Sequence, residues 1–144
     1  MLKVENMSNG EIQALLLRAE YGHLACTRDG HPYVVPMNYA YDSEAIYFLT
    51  TEGTKTEFIA ANHEICFQVE EVTDVSRWRS VMVIGRAQRL GKSLEIEAAM
   101  QLLTERNPSL RPAINKTEIG AWKRPNNIVI YRVRPDSIYG RKTV

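Results

Sequence analysis

The sequence predicts a mainly antiparallel β fold with added helices, closed into a barrel. Short segments of alternating apolar and polar residues recur along the chain, turn signals separate them, and few segments carry helical spacing. Strands joined by hairpin turns favour an antiparallel sheet, and closure removes the exposed edges that an open sheet would present. A chain of 144 residues is expected to form one domain, spanning 1–144.

The first element is predicted to be an amphipathic helix over residues 9–20. Ser8 followed three residues later by Glu11 is the capping-box pattern, in which each side chain accepts a hydrogen bond from the other residue's backbone N–H. Ile12, Leu15 and Leu16 then recur at the spacing of one helix face.

A β-hairpin is predicted next, with strands at residues 22–27 and 33–41. Asp29-Gly30 between two strand-like segments is a strong signal for a tight hairpin turn. Pro36 lies inside the second strand and has no N–H to donate, so it predicts a bulge or an interruption of pairing. Such irregularities are common where a strand makes room for a ligand.

The remaining elements continue the same pattern. Strands are predicted at residues 45–50, 64–71, 78–90 (with a bend at Gly85), 128–133 and 137–141, helices at 55–61 and 93–106, a loop at 72–77 and an irregular stretch at 107–124.

Composition narrows the functional classes. A formal net charge of +1 gives no general attraction to nucleic acid or to anionic membranes. Purely apolar runs such as 81–84 are far shorter than the roughly 20 residues that span a bilayer. The first ten residues do not resemble a signal peptide, so Cys26 and Cys66 are interpreted as buried free thiols of a cytoplasmic protein. These cysteines and the three histidines have no metal-site spacing, so no metal is expected.

Familiar catalytic patterns are absent from the sequence. It contains no P-loop, no dinucleotide-binding glycine motif and no nucleophile elbow. Glu70 and Glu71 are neighbours on one strand and face opposite sides, so they make a poor acid/base pair. His23, His31 and His63 are interpreted as structural rather than as ligands. The catalytic residues are therefore unknown from the sequence.

The most informative segment is Thr50–Lys55, between a predicted strand and a predicted helix. It brings hydroxyl groups, Gly53 and Lys55 to a helix start, where unpaired N–H groups and a partial positive charge attract anions. This combination is typical of a phosphate site. The alternative interpretation is a capped helix that carries a solvated lysine.

Taken together, these motifs resemble the FMN-binding split-barrel family of pyridoxamine 5′-phosphate oxidase-like proteins, and within it the nitroimidazole-resistance (Nim)-like flavoproteins. The resemblance covers about residues 10–142 and is carried by residues 22–25, 29–39, 46–50, 53–55, 78–81 and 85–87.

The resemblance implies a six- to eight-stranded Greek-key split barrel, a homodimer, and FMN in a groove between the subunits. The segment 35–39 would line the isoalloxazine ring through its backbone, the hydroxyl-rich segment with Lys55 would hold the phosphate, Ser80 would reach the ring or ribityl chain, and Trp122 would come from the partner subunit. The cofactor-binding residues implied are Val35, Pro36, Met37, Asn38, Tyr39, Thr50, Thr51, Thr54, Lys55, Ser80 and Trp122.

The sequence departs from the family pattern in two places, and each limits which family functions can be expected of this chain. The chain lacks the C-terminal Arg-x-His substrate segment of true pyridoxamine 5′-phosphate oxidases, so that activity is not expected. Leu49-Thr50 replaces the His-Ser pair of many Nim-like members, which keeps the hydroxyl but loses the histidine.

The expected function is that of an FMN-dependent oxidoreductase acting on an unknown small molecule. A flavin needs no protein acid or base for hydride transfer, which fits the absence of a catalytic constellation. The alternatives are a flavin-storage or sensing module without turnover, a haem-binding protein with a histidine as axial ligand, and a protein that binds the deazaflavin F420.

Overall fold

The computed structural model describes residues 1–110 and 128–144. Its strands are β1 (Val4–Asn6), β2 (Tyr21–Arg28), β3 (His31–Asn38), β4 (Ala40–Tyr41), β5 (Ile46–Thr51), β6 (Glu64–Asp74), β7 (Arg77–Arg89) and β8 (Ile128–Thr143). Its helices are α1 (Asn9–Arg18), α2 (Thr54–Ala61) and α3 (Ser93–Arg106), followed by a 3₁₀ turn over Pro108–Leu110.

The strands form one antiparallel sheet in the order β3-β2-β6-β7-β8-β5-β4, and β1 pairs with β8. The two ends of this sheet curl towards each other, so that Cα atoms of β3 and β5 approach within 8 Å without forming a ladder. The fold is therefore an eight-stranded split barrel, which confirms the predicted fold class.

The barrel interior is filled by alternate residues of the strands. Phe67 on β6 is fully buried between Phe48 and Tyr39, with ring centroids 6.1 and 5.2 Å away. Phe48 also stacks on Tyr131 of β8 at 5.3 Å. Aromatic pairs at these separations add to the stabilisation from burial. Because successive side chains of a strand point to opposite sides, every second residue faces the core and the residues between them face outward.

The first helix and the first hairpin confirm their predictions closely. Glu11 N–H donates to Ser8 Oγ at 3.2 Å, and Ser8 N–H donates to Glu11 Oε1 at 2.9 Å, so the capping box is complete. In the β2–β3 turn, Asp29 and Gly30 both have positive φ, at 50° and 78°, as a type I′ turn requires.

The prediction that Pro36 marks a bulge or an interruption was wrong. The β2–β3 ladder runs without a register shift from Tyr21↔Asn38 to Arg28↔His31, with Pro36 opposite His23. The proline is tolerated because β3 is the edge strand of the sheet, where a missing N–H need not break a second ladder. The strand is instead interrupted at Tyr39, three residues after the proline, between the end of β3 and the start of β4.

Three other boundaries differ from the predictions. Residues 128–133 and 137–141 were predicted as two strands but form the single strand β8, and the predicted loop 72–77 is mostly strand. The N-terminal strand β1 was not predicted. The bend predicted at Gly85 is a β-bulge against β8, since Ile84 pairs with Ser137 and Gly85 with Pro135. Among the described residues, no helix is long and apolar enough to cross a membrane.

Candidate functional site

The split between the two ends of the sheet brings together two segments that are distant in sequence. β3 is the edge strand on one side. On the other side, β4 pairs with Ile46 and Tyr47 of β5, so residues 48–51 have no strand partner on this edge among residues 1–110 and 128–144. Segments 35–39 and 50–55, singled out from the sequence, therefore lie on opposite edges of the split.

On the β3 side, the side chains alternate between the core and the solvent. Val35 and Met37 are half-buried against the core, whereas Pro36 and Asn38 are exposed. Tyr39 is buried, and its hydroxyl donates to the backbone oxygen of Leu16 at 2.6 Å. Burial raises the pKa of Tyr39 to about 12, which keeps the hydroxyl protonated. The Tyr39 side chain is thus part of the core, and only its backbone remains for a ligand.

On the β5 side, the polar segment ends at the first turn of α2. Thr50 is buried, and its hydroxyl donates to the backbone oxygen of Thr51 at 3.3 Å. Thr51 and Thr54 are exposed, and Lys55 is half-buried. The N-cap of α2 is Gly53, so no cap side chain accepts from the first helical N–H groups. An uncapped helix start beside a lysine can accept an anion.

The one carboxylate in this segment is tied away from Lys55. Glu52 Oε1 lies 2.5 Å from the Arg89 guanidinium, and its Oε2 accepts from the Thr56 hydroxyl at 3.2 Å. Among the described residues, no carboxylate lies within ion-pair distance of Lys55. The segment therefore keeps a net attraction for a negatively charged group.

An apolar cleft of about 420 Å³ lies at β2, β3 and β6. It is lined mainly by β2, β3 and β6, including Cys26, Tyr33, Val34 and Cys66. Burial raises the pKa of the Cys26 thiol, while the nearby positive charge of Lys55 acts to lower it. Lys55 is not among the residues that line the cleft, whereas the carboxylate of Glu64 is. The mainly apolar walls of this cleft suit a ligand with a planar apolar ring.

Ser80 lies apart from these segments within one chain. It is on β7, three strands from β3 in the sheet order, or about 14 Å at the usual strand spacing. Its hydroxyl accepts from Gln68 Nε2 at 3.0 Å, and Gln68 Oε1 lies 3.2 Å from His23 Nδ1. This polar row crosses the outer face of the sheet and ends at His23, opposite Pro36.

Sequence reasoning missed the polar row for a physical reason. His23, Gln68 and Ser80 occupy outward-facing positions of three different strands, and only the register of β2, β6 and β7 aligns them. His31 and His63 are exposed and do not join it. Among residues 1–110 and 128–144, no group of three or more metal-ligating side chains comes together. Trp122 lies outside the described residues.

Comparison with known proteins places this geometry in a family. A family model described as pyridoxamine 5′-phosphate oxidase matches residues 8–142. An uncharacterised protein of Rhizobium meliloti, RA0666, is 34% identical over 87 residues, a match that spans 60% of this chain and 58% of that relative.

Two solved structures share the fold along nearly the whole chain. An FAD-binding protein of Mesorhizobium loti, mll6688, superimposes with a TM-score of 0.78 and 28% identity, covering 100% of this chain and 99% of that one. A 5-nitroimidazole antibiotic resistance protein of Bacteroides thetaiotaomicron, so described provisionally, has a TM-score of 0.79 at 22% identity, covering 99% and 89%. The second likeness shows the fold alone.

Proposed function

Because this chain belongs to the pyridoxamine 5′-phosphate oxidase family, we propose that it is a flavoprotein that binds FMN and uses it as an oxidoreductase on a small molecule. The observation that carries the proposal is the position of Lys55 in the first turn of α2, where Gly53 is the N-cap and Thr51 and Thr54 are exposed. The similarity to an FAD-binding protein supports a flavin as the ligand class.

The first turn of α2 is the part of the site that would hold the phosphate. The exposed hydroxyls of Thr51 and Thr54, the free N–H groups of the helix start and the Lys55 ammonium all donate hydrogen bonds. The terminal phosphate of FMN is a monoester that carries more charge than either phosphate of the FAD diphosphate. A helix start beside a lysine therefore favours FMN over FAD.

The edge of β3 is the part that would contact the flavin ring. Edge-strand residues have backbone N–H and C=O groups without a second ladder, and these groups can donate to and accept from ring atoms. The half-buried side chains of Val35 and Met37 supply apolar surface beside them. When bound there, the flavin would supply hydride-transfer chemistry, while the protein orients it and excludes water.

Replacing Lys55 with alanine tests the phosphate site. A charge-assisted contact is worth roughly 1.5–3 kcal/mol, so Lys55→Ala is expected to weaken FMN binding about tenfold to a hundredfold. Fluorescence titration with FMN and with FAD measures both affinities. Lys92→Ala removes an exposed lysine from a different element and is the matched control. Equal FMN affinity in Lys55→Ala and the control would exclude Lys55 from the site.

The flavin site is proposed to be completed by a second copy of the chain. The outer face of the β2–β3–β6–β7–β8 sheet exposes large apolar side chains: Tyr21, Val34, Met82 and Tyr139 are between 38% and 65% exposed. A solvent-facing antiparallel sheet is ordinarily polar on this side, so exposed apolar side chains of this size favour an interaction surface. A homodimer through this face would also bring Ser80 of one subunit towards the partner's cleft.

A further inference from the structure

A second cavity, on the outer face of β7 and β8, is lined by positively charged side chains. Its volume is about 470 Å³, and its lining includes Arg86, Arg89, Arg132 and Arg134 together with His63 and Asp136. It shares no lining residue with the apolar cleft at β2, β3 and β6, and of its arginines Arg89 is ion-paired with Glu52. We propose that this cavity binds a small molecule through a phosphate or diphosphate group.

The register of the sheet places two of these arginines side by side. Arg86 and Arg134 are direct partners across the β7–β8 ladder and are both exposed. Like charges directly opposite each other destabilise a sheet. Among the described residues, no carboxylate lies within ion-pair distance of either guanidinium. An anion bound between them would relieve this repulsion.

Arg132 adds a buried donor to the same wall, and its charge is paired with Glu95. Its residue is only 9% exposed, and its guanidinium donates to Glu95 Oε2 at 2.8 Å and to Gln88 Oε1 at 2.9 Å. Its buried Nε–H has no acceptor among the described residues. A buried donor without an acceptor costs free energy, and an anion in the cavity that Arg132 lines could accept from this N–H.

The β-bulge next to Gly85 shapes this wall. Because Ile84 pairs with Ser137 and Gly85 with Pro135, Asp136 is the extra residue of the bulge, and among the described residues its carboxylate is the one acidic group in the cavity lining, which the unpaired Arg86 and Arg134 outnumber. Bulges are common beside functional sites, where they redirect a side chain. Guanidinium groups recognise phosphate oxygens by bidentate hydrogen bonds, so the paired arginines fit a phosphate better than a single-point anion such as chloride.

Calorimetric titration with inorganic pyrophosphate at constant ionic strength tests the proposal. The wild-type protein is expected to show saturable pyrophosphate binding that persists when FMN is present in excess to occupy the helix start of α2. Arg134→Gln should weaken it by at least about tenfold, since one charge-assisted contact is lost. Arg134 is exposed, so this variant should fold. Arg77→Gln, which removes an exposed arginine at the β6–β7 turn, is the control and should bind pyrophosphate like the wild type.

Lys55→Ala separates this cavity from the proposed flavin site. Pyrophosphate binding that is unchanged in Lys55→Ala supports a distinct site, even if FMN binding is lost. The proposal is overturned if the wild type shows no saturable binding, if Arg134→Gln binds equally well, or if Lys55→Ala abolishes binding. It is also overturned if a short single-stranded oligonucleotide binds while pyrophosphate does not, because the surface would then recognise a polymer.

Discussion

Glu11 connects three elements through one carboxylate. Its Oε1 accepts from the backbone N–H of Ser8, while its Oε2 lies 2.7 Å from Lys142 Nζ on β8 and 3.3 Å from the Arg79 guanidinium on β7. The hydrogen bond from Lys142, followed by that from the Ser8 backbone, lowers the pKa of Glu11 from 4.5 to about 2. The carboxylate therefore couples the start of α1 to the sheet.

We expect this coupling to disappear in acid. Because the folded-state pKa lies below the unfolded value, the stabilisation is complete above about pH 4.5 and is lost as the pH falls towards 2. Glu11→Gln should be less stable than the wild type at neutral pH and equal to it near pH 2. Thermal unfolding across this range measures the difference. Glu97→Gln, at an exposed position of α3, is the control and should show no such pH dependence. If the stability difference between Glu11→Gln and the wild type did not change with pH, the proposed role of Glu11 would be contradicted.

At the residue scale, local chemistry could be predicted and distant contacts could not. Ser8, Glu11 and the Asp29-Gly30 turn interact within a few residues, so their spacing in the sequence determines their geometry. The buried hydroxyl of Tyr39 bonds to Leu16, 23 residues away. No local sequence pattern predicts a contact over this separation, so the sequence could not show that the Tyr39 side chain belongs to the core.

At the scale of elements, the β7–β8 pair depends on one glycine. A Cβ at Gly85 would lie 2.4 Å from the backbone oxygen of Arg134 and 3.0 Å from Val133 Cγ1. Only a residue without a side chain permits β8 to approach this closely at the bulge. The glycine is required by the contact between two backbones, which cannot easily move apart.

Gly85→Ala is therefore expected to destabilise the protein by about 1–3 kcal/mol, as overpacking of a close contact usually does. Gly91→Ala is the matched control, because a Cβ there would meet nothing within 4 Å, and it should change the stability by less than about 0.5 kcal/mol. Urea unfolding of both variants measures the difference. Equal stability of the two variants would show that β8 can shift without cost.

The same bulge explains why one strand was predicted as two. Pro135 and Asp136 are residues typical of turns, and they predicted a break between residues 133 and 137. The bulge accommodates the extra residue and lets β8 continue to Thr143. At the other end of β7, Asp74 accepts from Ser76 N–H at 2.9 Å, so a short side-chain-stabilised turn replaces most of the predicted loop. Cross-strand pairing outweighed local turn propensity in both places.

At the scale of the whole molecule, strand order decides which residues meet. The sequence predicted antiparallel strands but could not show that β6 and β7 lie between β2 and β8, or that β1 pairs with the C-terminal strand. These pairings determine where the barrel remains open, and segments 35–39 and 50–55 lie on opposite edges of that opening. The resemblance to a family supplied that arrangement, whereas the composition and spacing alone did not. The role of Trp122 remains a prediction.

The proposed dimer makes a prediction at this scale. Met82 is 38% exposed on the outer sheet face, so Met82→Glu should fold but place an unpaired charge in the interface. Analytical ultracentrifugation is expected to show twice the 16.4 kDa chain mass for the wild type and a shift to monomer for the variant. Val75→Glu introduces the same charge at a position that is 93% exposed, in the β6–β7 turn, and should remain dimeric. A monomeric wild type would contradict the proposal.

The most direct test of the central claim is the absorption spectrum of the purified protein after FMN is added and the excess is removed by desalting. We predict that the flavin bands remain with the protein, and that reduced nicotinamide added anaerobically bleaches them. Bands that remain but do not bleach would favour a storage module over an enzyme. A colourless protein that retains no FMN would contradict the assignment of Lys55 and the β3 edge as a flavin site.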